Sequence, residues 1–170
     1  VVVGIGVRPN DGLATAAGLK TEDGILVDGA CRTSDPAILA AGDCARFPLG
    51  DGLGRLESVQ NAVDQGEAAA ESLAGHDVDY RPAPWFWSDQ FDVKLQIAGL
   101  NTGYDRTVER PGKREGALSV WYYRGDRLLA VDAMNDSATY MIASRLLKAG
   151  RSPSVKQIAD PTLELKALLS

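Results

Sequence analysis

Thr33-Ser34-Asp35-Pro36-Ala37-Ile38-Leu39-Ala40-Ala41-Gly42-Asp43-Cys44-Ala45 is the stretch that decides how this 170-residue chain is read. Asp35-Pro36 signals a turn. Ile38-Leu39-Ala40-Ala41 is an unbroken apolar run, which predicts a strand buried on both faces, as in a parallel sheet. Gly42 permits close approach of the backbone, and Asp43 then sets a carboxylate at the strand's carboxyl end. Open α/β sheets bind their ligands at that end. A carboxylate there can accept hydrogen bonds from sugar or ribitol hydroxyls. Asp43 as a turn or cap residue is the competing reading.

The flanking sequence extends the α/β pattern. Residues 1–7 are apolar and β-branched, which predicts another buried strand, and Arg8-Pro9-Asn10-Asp11-Gly12 ends it in a loop. A short helix is expected over residues 13–17, stopped by Gly18, and a brief strand at Ile25-Leu26-Val27. A glycine-rich loop at residues 49–54 leads to a helix over residues 58–74, with Ser58 as N-cap and Gly75 as stop. Val59, Ala62, Val63, Ala69, Ala70 and Leu73 fall near one face of that helix, with Gly66 on the same stripe. A stripe of such small residues suits packing on a sheet or close approach of a ligand.

Residues 76–84 are polar and punctuated by proline, which places a domain boundary there, between residues 1–79 and residues 80–170. Beyond it the period changes. Phe91, Val93, Leu95 and Ile97 alternate with polar residues, as in a half-buried antiparallel strand. Strands are expected at residues 118–123 and 128–133, joined by a Gly125-Asp126 hairpin, with a possible edge strand at residues 107–109. Ala138, Met141, Ile142, Arg145, Leu146 and Ala149 repeat at helical spacing up to Gly150, and a last helix is expected over residues 162–169. The expected architecture is therefore α/β, the C-terminal half of a doubly wound domain, followed by an α+β domain with an antiparallel sheet and C-terminal helices.

Charge differs between the two parts. Residues 1–79 hold 5 Lys+Arg against 13 Asp+Glu, and residues 80–170 hold 13 against 10, so a net −8 faces a net +3. The overall −5 argues against nucleic acid as a partner. No apolar run approaches the roughly 20 residues of a membrane span, and the opening VVVGIGVRPN has no secretory pattern, so the cytoplasm is the expected location. Cys31 and Cys44 lack a CxxC partner, and a single histidine, His76, just after a helix stop, rules against a Cys/His metal cluster or a Ser-His-Asp triad. Neither G-x-G-x-x-G nor a P-loop is present, so no phosphate cradle is expected within these residues.

The opening stretch resembles the second FAD fingerprint of the pyridine-nucleotide flavoprotein reductases, T-x-x-x-x-(I/V)-(F/Y/L)-A-x-G-D, in which the closing aspartate, here Asp43, contacts the ribityl chain. Arg55-Leu56-Glu57-Ser58-Val59-Gln60-Asn61-Ala62 resembles the helix start over the flavin's pyrimidine end. The backbone amides near Val59 and Gln60 would face the flavin N1 and O2 region, where a helix N-terminus suits the anion of reduced flavin. Val1-Val2-Val3-Gly4-Ile5-Gly6-Val7-Arg8-Pro9-Asn10 is similar to the strand that returns from the NAD domain. Pro84-Trp85-Phe86-Trp87-Ser88-Asp89-Gln90 is similar to the signature of the branch that reduces two-iron ferredoxins, which includes putidaredoxin and rhodocoxin reductases and the reductases of aromatic-ring dioxygenases. Residues 125–132 and Asn135 match the C-terminal domain of that branch.

The resemblance implies an NAD(P)H-dependent FAD enzyme that passes electrons to an iron–sulfur ferredoxin serving an oxygenase. Trp87 would lie beside the isoalloxazine and face the ferredoxin, Trp85 would pack as a core or interdomain aromatic, and Glu57 and Gly6 would lie towards NAD. The family's order is FAD half, NAD domain, FAD half, C-terminal domain, and these residues correspond to the last two parts. A fragment with little affinity for FAD of its own is therefore expected, its first part irregular or self-associated through exposed strand edges. A non-enzymatic docking module and an NADH oxidase-like flavoprotein are the alternatives.

Overall fold

The computed structural model describes residues 1–169, which divide into two units between Pro82 and Ala83. In the first unit a short helix α1 (Gly12–Ala16) ends before Gly18, whose φ of 77° is the left-handed conformation that terminates helices. Strand β1 (Ile25–Leu26) pairs in parallel with β2 (Ala45–Leu49), and β2 pairs antiparallel with β3 (Gly52–Gly54) across a two-residue turn at Gly50-Asp51. The expected 49–54 loop is thus a hairpin whose first strand begins at Ala45. Helix α2 (Val59–Leu73) follows, with Ser58 Oγ accepting from the amide of Asn61 at 3.2 Å. Gly75, at φ 87°, follows its end.

Three expectations for this unit are corrected. Residues 1–7 form no strand and are exposed, because among the described residues no neighbouring strand takes up their backbone groups. Residues 38–41 form no buried strand either: their backbone bonds turn back on the preceding loop. Thr33 N–H donates to Ile38 O (2.9 Å), Ala40 N–H donates to Cys31 O (3.0 Å), and Arg32 and Leu39 make a single bridge. Helix α2, lastly, is inverted relative to its pattern. It buries Asn61, Gln65 and Ser72, whereas Val59, Ala62, Val63, Gly66, Ala70 and Leu73 are exposed. The buried face is stabilised by hydrogen bonds. Asn61 Nδ2 donates to Leu56 O (3.1 Å), Tyr80 Oη donates to Asn61 Oδ1 (3.0 Å), and Gly42 N–H donates to Gln65 Oε1 (2.7 Å).

The second unit is a five-stranded antiparallel sheet made of β4 (Trp85–Gln90), β5 (Val93–Gly99), β6 (Arg106–Pro111), β7 (Leu118–Arg124) and β8 (Arg127–Met134), in the order β4-β5-β8-β7-β6. Helices α3 (Ser137–Lys148) and α4 (Val155–Ala159) and a 3-10 helix (Leu165–Leu169) follow it. Gly125-Asp126 is the turn between β7 and β8, as its sequence predicts. Strand β5 begins at Val93, not Phe91, and instead of alternating, its burial rises along its length, from the exposed Val93 and Lys94 to the buried Ala98 and Gly99. Phe91 and Asp92 form the two-residue turn of the β4–β5 hairpin, and Phe91 sits fully exposed at φ 56°. The helix expected over residues 162–169 shrinks to the 3-10 turn, while α4, introduced by a Ser154–Gln157 capping box, is additional.

Alternate residues of the strands reach the helices. Val108, Trp121, Tyr123, Leu128 and Val131 form one core with Ile142, Ala143, Leu146, Ile158, Leu165 and Leu168. Trp121 is fully buried, with Nε1–H donating to Ser119 Oγ at 3.0 Å. Arg110 ties the last segment down by donating to the carbonyls of Ile158, Asp160 and Leu163 at 2.7, 2.5 and 2.7 Å. Asn135, at φ 51°, locks the end of β8 to β5 by accepting from and donating to the backbone of Lys94 at 2.9 and 2.8 Å.

Trp121→Ala is expected to destabilise this unit by about 3–5 kcal/mol, read as a fall in the urea midpoint at unchanged m-value. A second expectation concerns alkali. Burial, together with a 2.7 Å hydrogen bond to Asp132, pushes the Tyr122 phenol up to about 12. A raised folded pKa favours the protonated form. The stabilisation is therefore complete below the ordinary value of about 10 and is lost as the pH rises through about 12. Urea midpoints measured between these limits should fall with pH, and Tyr122→Phe should flatten part of that slope.

Candidate functional site

The candidate site is built where the loop before β2 meets the start of α2. Gly42 adopts φ 83°, and Ala45 N–H closes the turn onto Gly42 O at 2.9 Å. This turn, not a strand end, presents Asp43. The Asp43 side chain is exposed, and its carboxylate accepts no hydrogen bond among the described residues. Its backbone is constrained instead: Arg55 Nη1 donates to Asp43 O at 3.1 Å. Arg55 is nearly buried. It also meets Glu57 Oε1 at 2.6 Å and Asp23 Oδ1 at 3.4 Å. Burial opposes its charge, but hydrogen bonding and attraction from those two carboxylates outweigh that, so its pKa rises and it stays a cation.

Asp43, Glu57, Ser58 and Val59, with Ala62 and Val63, line one open concavity of about 580 Å³. One wall carries the free carboxylate of Asp43 and that of Glu57, which is paired with Arg55. The other is the first turn of α2, where the exposed side chains of Val59 and Val63 supply apolar surface. The amides of Val59 and Gln60 have no intrahelical acceptor, as at any helix start. The concavity thus combines hydrogen-bond acceptors, free N–H donors at the positive end of a 15-residue helix, and an apolar floor. That combination suits a flat ligand carrying hydroxyls and an electron-rich edge.

The remaining sequence-derived candidates fall elsewhere. Gln60 does not line the concavity; its side-chain amide donates to Asp64 Oδ1 at 2.5 Å. Gly6 lies in the exposed residues 1–7 and is not part of the lining. Trp87 belongs to the second unit, on β4, and is 46% exposed, with its ring 5.3 Å from that of Trp85. Trp85 packs in turn on Tyr140, with ring centroids 6.4 Å apart. Arg55 and Gln65, which hold the Asp43 turn from two sides, drew no attention as site residues, because an arginine and a glutamine in these places carry no signal until the chain has folded. The second unit has its own smaller concavity of about 280 Å³, lined by Lys94, Arg114, Glu115, Asn135 and Ser137. Among the described residues there is no His/Cys/Asp/Glu cluster able to hold a metal ion, and no helix is long and apolar enough to cross a membrane.

Comparison with known proteins follows this division. Residues 1–66 match the pyridine nucleotide-disulphide oxidoreductase family, and residues 85–169 match the reductase C-terminal family. Rhodocoxin reductase of Rhodococcus erythropolis is 45% identical over 172 residues, covering 100% of this chain and 40% of that protein. Putidaredoxin reductase of Pseudomonas putida is 40% identical over 172 residues, covering 100% and 41%. Among solved structures, the ferredoxin reductase for the CYP199A2 system from Rhodopseudomonas palustris superposes with a TM-score of 0.92 at 41% identity, covering 98% of this chain and 42% of that one. The reductase in the covalent putidaredoxin reductase–putidaredoxin complex gives a TM-score of 0.88 at 39% identity, covering 98% and 40%. The chain spans about two-fifths of the length of the curated relatives it matches. The chain belongs to the reductase C-terminal family, whose match spans half of it, with a segment matching the pyridine nucleotide-disulphide oxidoreductases before it.

Proposed function

We propose that this chain forms the second FAD-binding segment and the C-terminal domain of an NAD(P)H-dependent ferredoxin reductase. The observation that carries the proposal is the concavity that joins the free Asp43 carboxylate to Ser58 and Val59 at the open start of α2. In this reading Asp43 accepts hydrogen bonds from ribityl hydroxyls. The Ser58-capped helix start turns the Val59 and Gln60 amides towards the flavin's N1 and O2 edge. Val59 and Val63 supply apolar contact, and Glu57 lies on the side from which nicotinamide approaches. FAD held there would supply the chemistry of accepting a hydride from NAD(P)H and releasing electrons singly to an iron–sulfur ferredoxin.

What these residues contribute is binding and electrostatic bias. A helix N-terminus carries roughly half a positive charge and favours negative charge that accumulates beside it. The acceptor surface is assigned to the second unit, where Trp87 is exposed on β4. The net +3 of residues 80–170 favours encounter with an acidic ferredoxin. Arg110 and Arg124 hydrogen-bond to backbone carbonyls of their own unit but keep their charge, and Lys94 and Arg114 add to the same steering field. Cys31 and Cys44 are both free thiols, in keeping with a cytoplasmic enzyme.

Two measurements test this reading. In the complete reductase, Asp43→Ala is expected to weaken FAD binding by about tenfold, the loss of one or two hydrogen bonds to a charged acceptor, as read by flavin fluorescence titration. Unchanged affinity would count against the assignment of Asp43. Trp87→Ala is expected to slow ferredoxin-dependent cytochrome c reduction while leaving NAD(P)H-dependent ferricyanide reduction intact, and raised salt should slow the ferredoxin reaction further. Loss of both activities together, or no effect on either, would remove Trp87 from the acceptor surface.

A further inference from the structure

Gln65 is fully buried, a rare state for a glutamine, and it lines no part of the concavity. Its Oε1 accepts from Gly42 N–H at 2.7 Å, 23 residues away in sequence. Gly42 is itself buried and held at φ 83°, and a Cβ built on it would stand 3.6 Å from Ala62 Cβ, so this turn rests directly on α2. Cys31 Sγ lies 3.6 Å from the backbone oxygen of Gln65, which brings the 31–40 loop to the same point of the helix. One turn earlier, Asn61 ties α2 to Leu56 O and Tyr80 Oη.

We infer that Gln65 is a positioning residue that sets the height and direction of Asp43 relative to the start of α2. The deciding fact is connectivity. The Ala41–Gly42 peptide group, one residue ahead of Asp43, hangs from the Gln65 side chain on one side, while Asp43 O is held by Arg55 on the other. Asp43 and the Val59 and Gln60 amides therefore belong to one rigid assembly, because the same helix that supplies the amides also carries the acceptor for the turn. Without that acceptor, Gly42 N–H would be a buried donor with no partner, and the turn would move to find one. The αL geometry of Gly42 leaves it free to do so. The inference rests on the FAD reading only in its consequence for binding. The hydrogen bond and its control of the turn belong to this chain alone.

The test has two arms. In the 170-residue chain, amide exchange followed by NMR should show Gly42 N–H protected. Gln65→Met, which matches the side chain in length and removes the acceptor, should speed Gly42 exchange by about tenfold or more while the amides of residues 66–73 stay protected. A rapidly exchanging Gly42 in the wild-type chain overturns the inference whether or not the variant folds, and so does a Gly42 that stays protected in Gln65→Met. In the complete reductase, FAD affinity is measured for Gln65→Met, Asp43→Ala and the double variant. Positioning predicts that each single change weakens FAD by about fivefold to tenfold and that the double is weaker than the worse single by no more than about twofold. Multiplying losses overturn the positioning role and leave the FAD reading standing. If Asp43→Ala leaves FAD affinity unchanged, the FAD reading fails, and the exchange arm still decides what Gln65 does.

Discussion

The first unit is organised by the buried amides of Asn61 and Gln65, which stand one turn apart on α2 and hold the helix by hydrogen bonds where an apolar stripe would be expected. Their partners come from three separate places, Leu56 before the helix, Gly42 in the turn that leads to β2, and Tyr80 beyond the helix. A hydrogen-bonded interface is directional in a way that apolar packing is not. Shifting the helix would break the bonds from Asn61 and Gln65 to Leu56, Tyr80 and Gly42, so its register against the Asp43 turn is specified closely. The cost is a unit with a small core. The gain is a helix whose opposite face, Val59, Ala62, Val63, Gly66, Ala70 and Leu73, stays available beside the site.

The second unit is held in the opposite manner. Its antiparallel strands satisfy one another locally through hairpins and need only one covered face, which α3, α4 and the 3-10 turn supply around Trp121, Tyr123 and Ile158. Polar groups serve as ties at the edges of this core. Tyr123 Oη donates to Pro153 O at 2.9 Å, and Arg110 gathers three carbonyls of the final segment. Arg110 is thereby fixed in place, while its charge remains, since neutral carbonyls do not cancel it.

The contrast explains which elements were legible. Helix α2 and its Ser58 cap, helix α3 with Gly150 after it, and the Gly125-Asp126 hairpin depend on interactions within a few residues, and local sequence suffices for them. Residues 1–7, apolar and β-branched, and residues 38–41, an apolar run, both carry the pattern of buried strands. A strand exists only by virtue of its neighbours, and the backbone of residues 38–40 pairs with the loop before it instead. The α2 stripe, which suits packing on a sheet or approach of a ligand, is exposed and partly lines the concavity, for a related reason. Periodicity reveals that a helix has two faces, but not which one is covered, and here long-range acceptors and donors made the polar face the inner one.

What the sequence by itself determined were local features, the Ser58 cap of α2 and the glycine before Asp43, since each is set by a short run of specific residue types. Only the tertiary structure decided how Asp43 is held. It is carried on a turn suspended between Arg55 and Gln65, 12 and 23 residues onward from its attachment points, and its side chain shares a concavity with the helix start. Contacts across such separations arise from where the backbone closes, and no local pattern of residues encodes them.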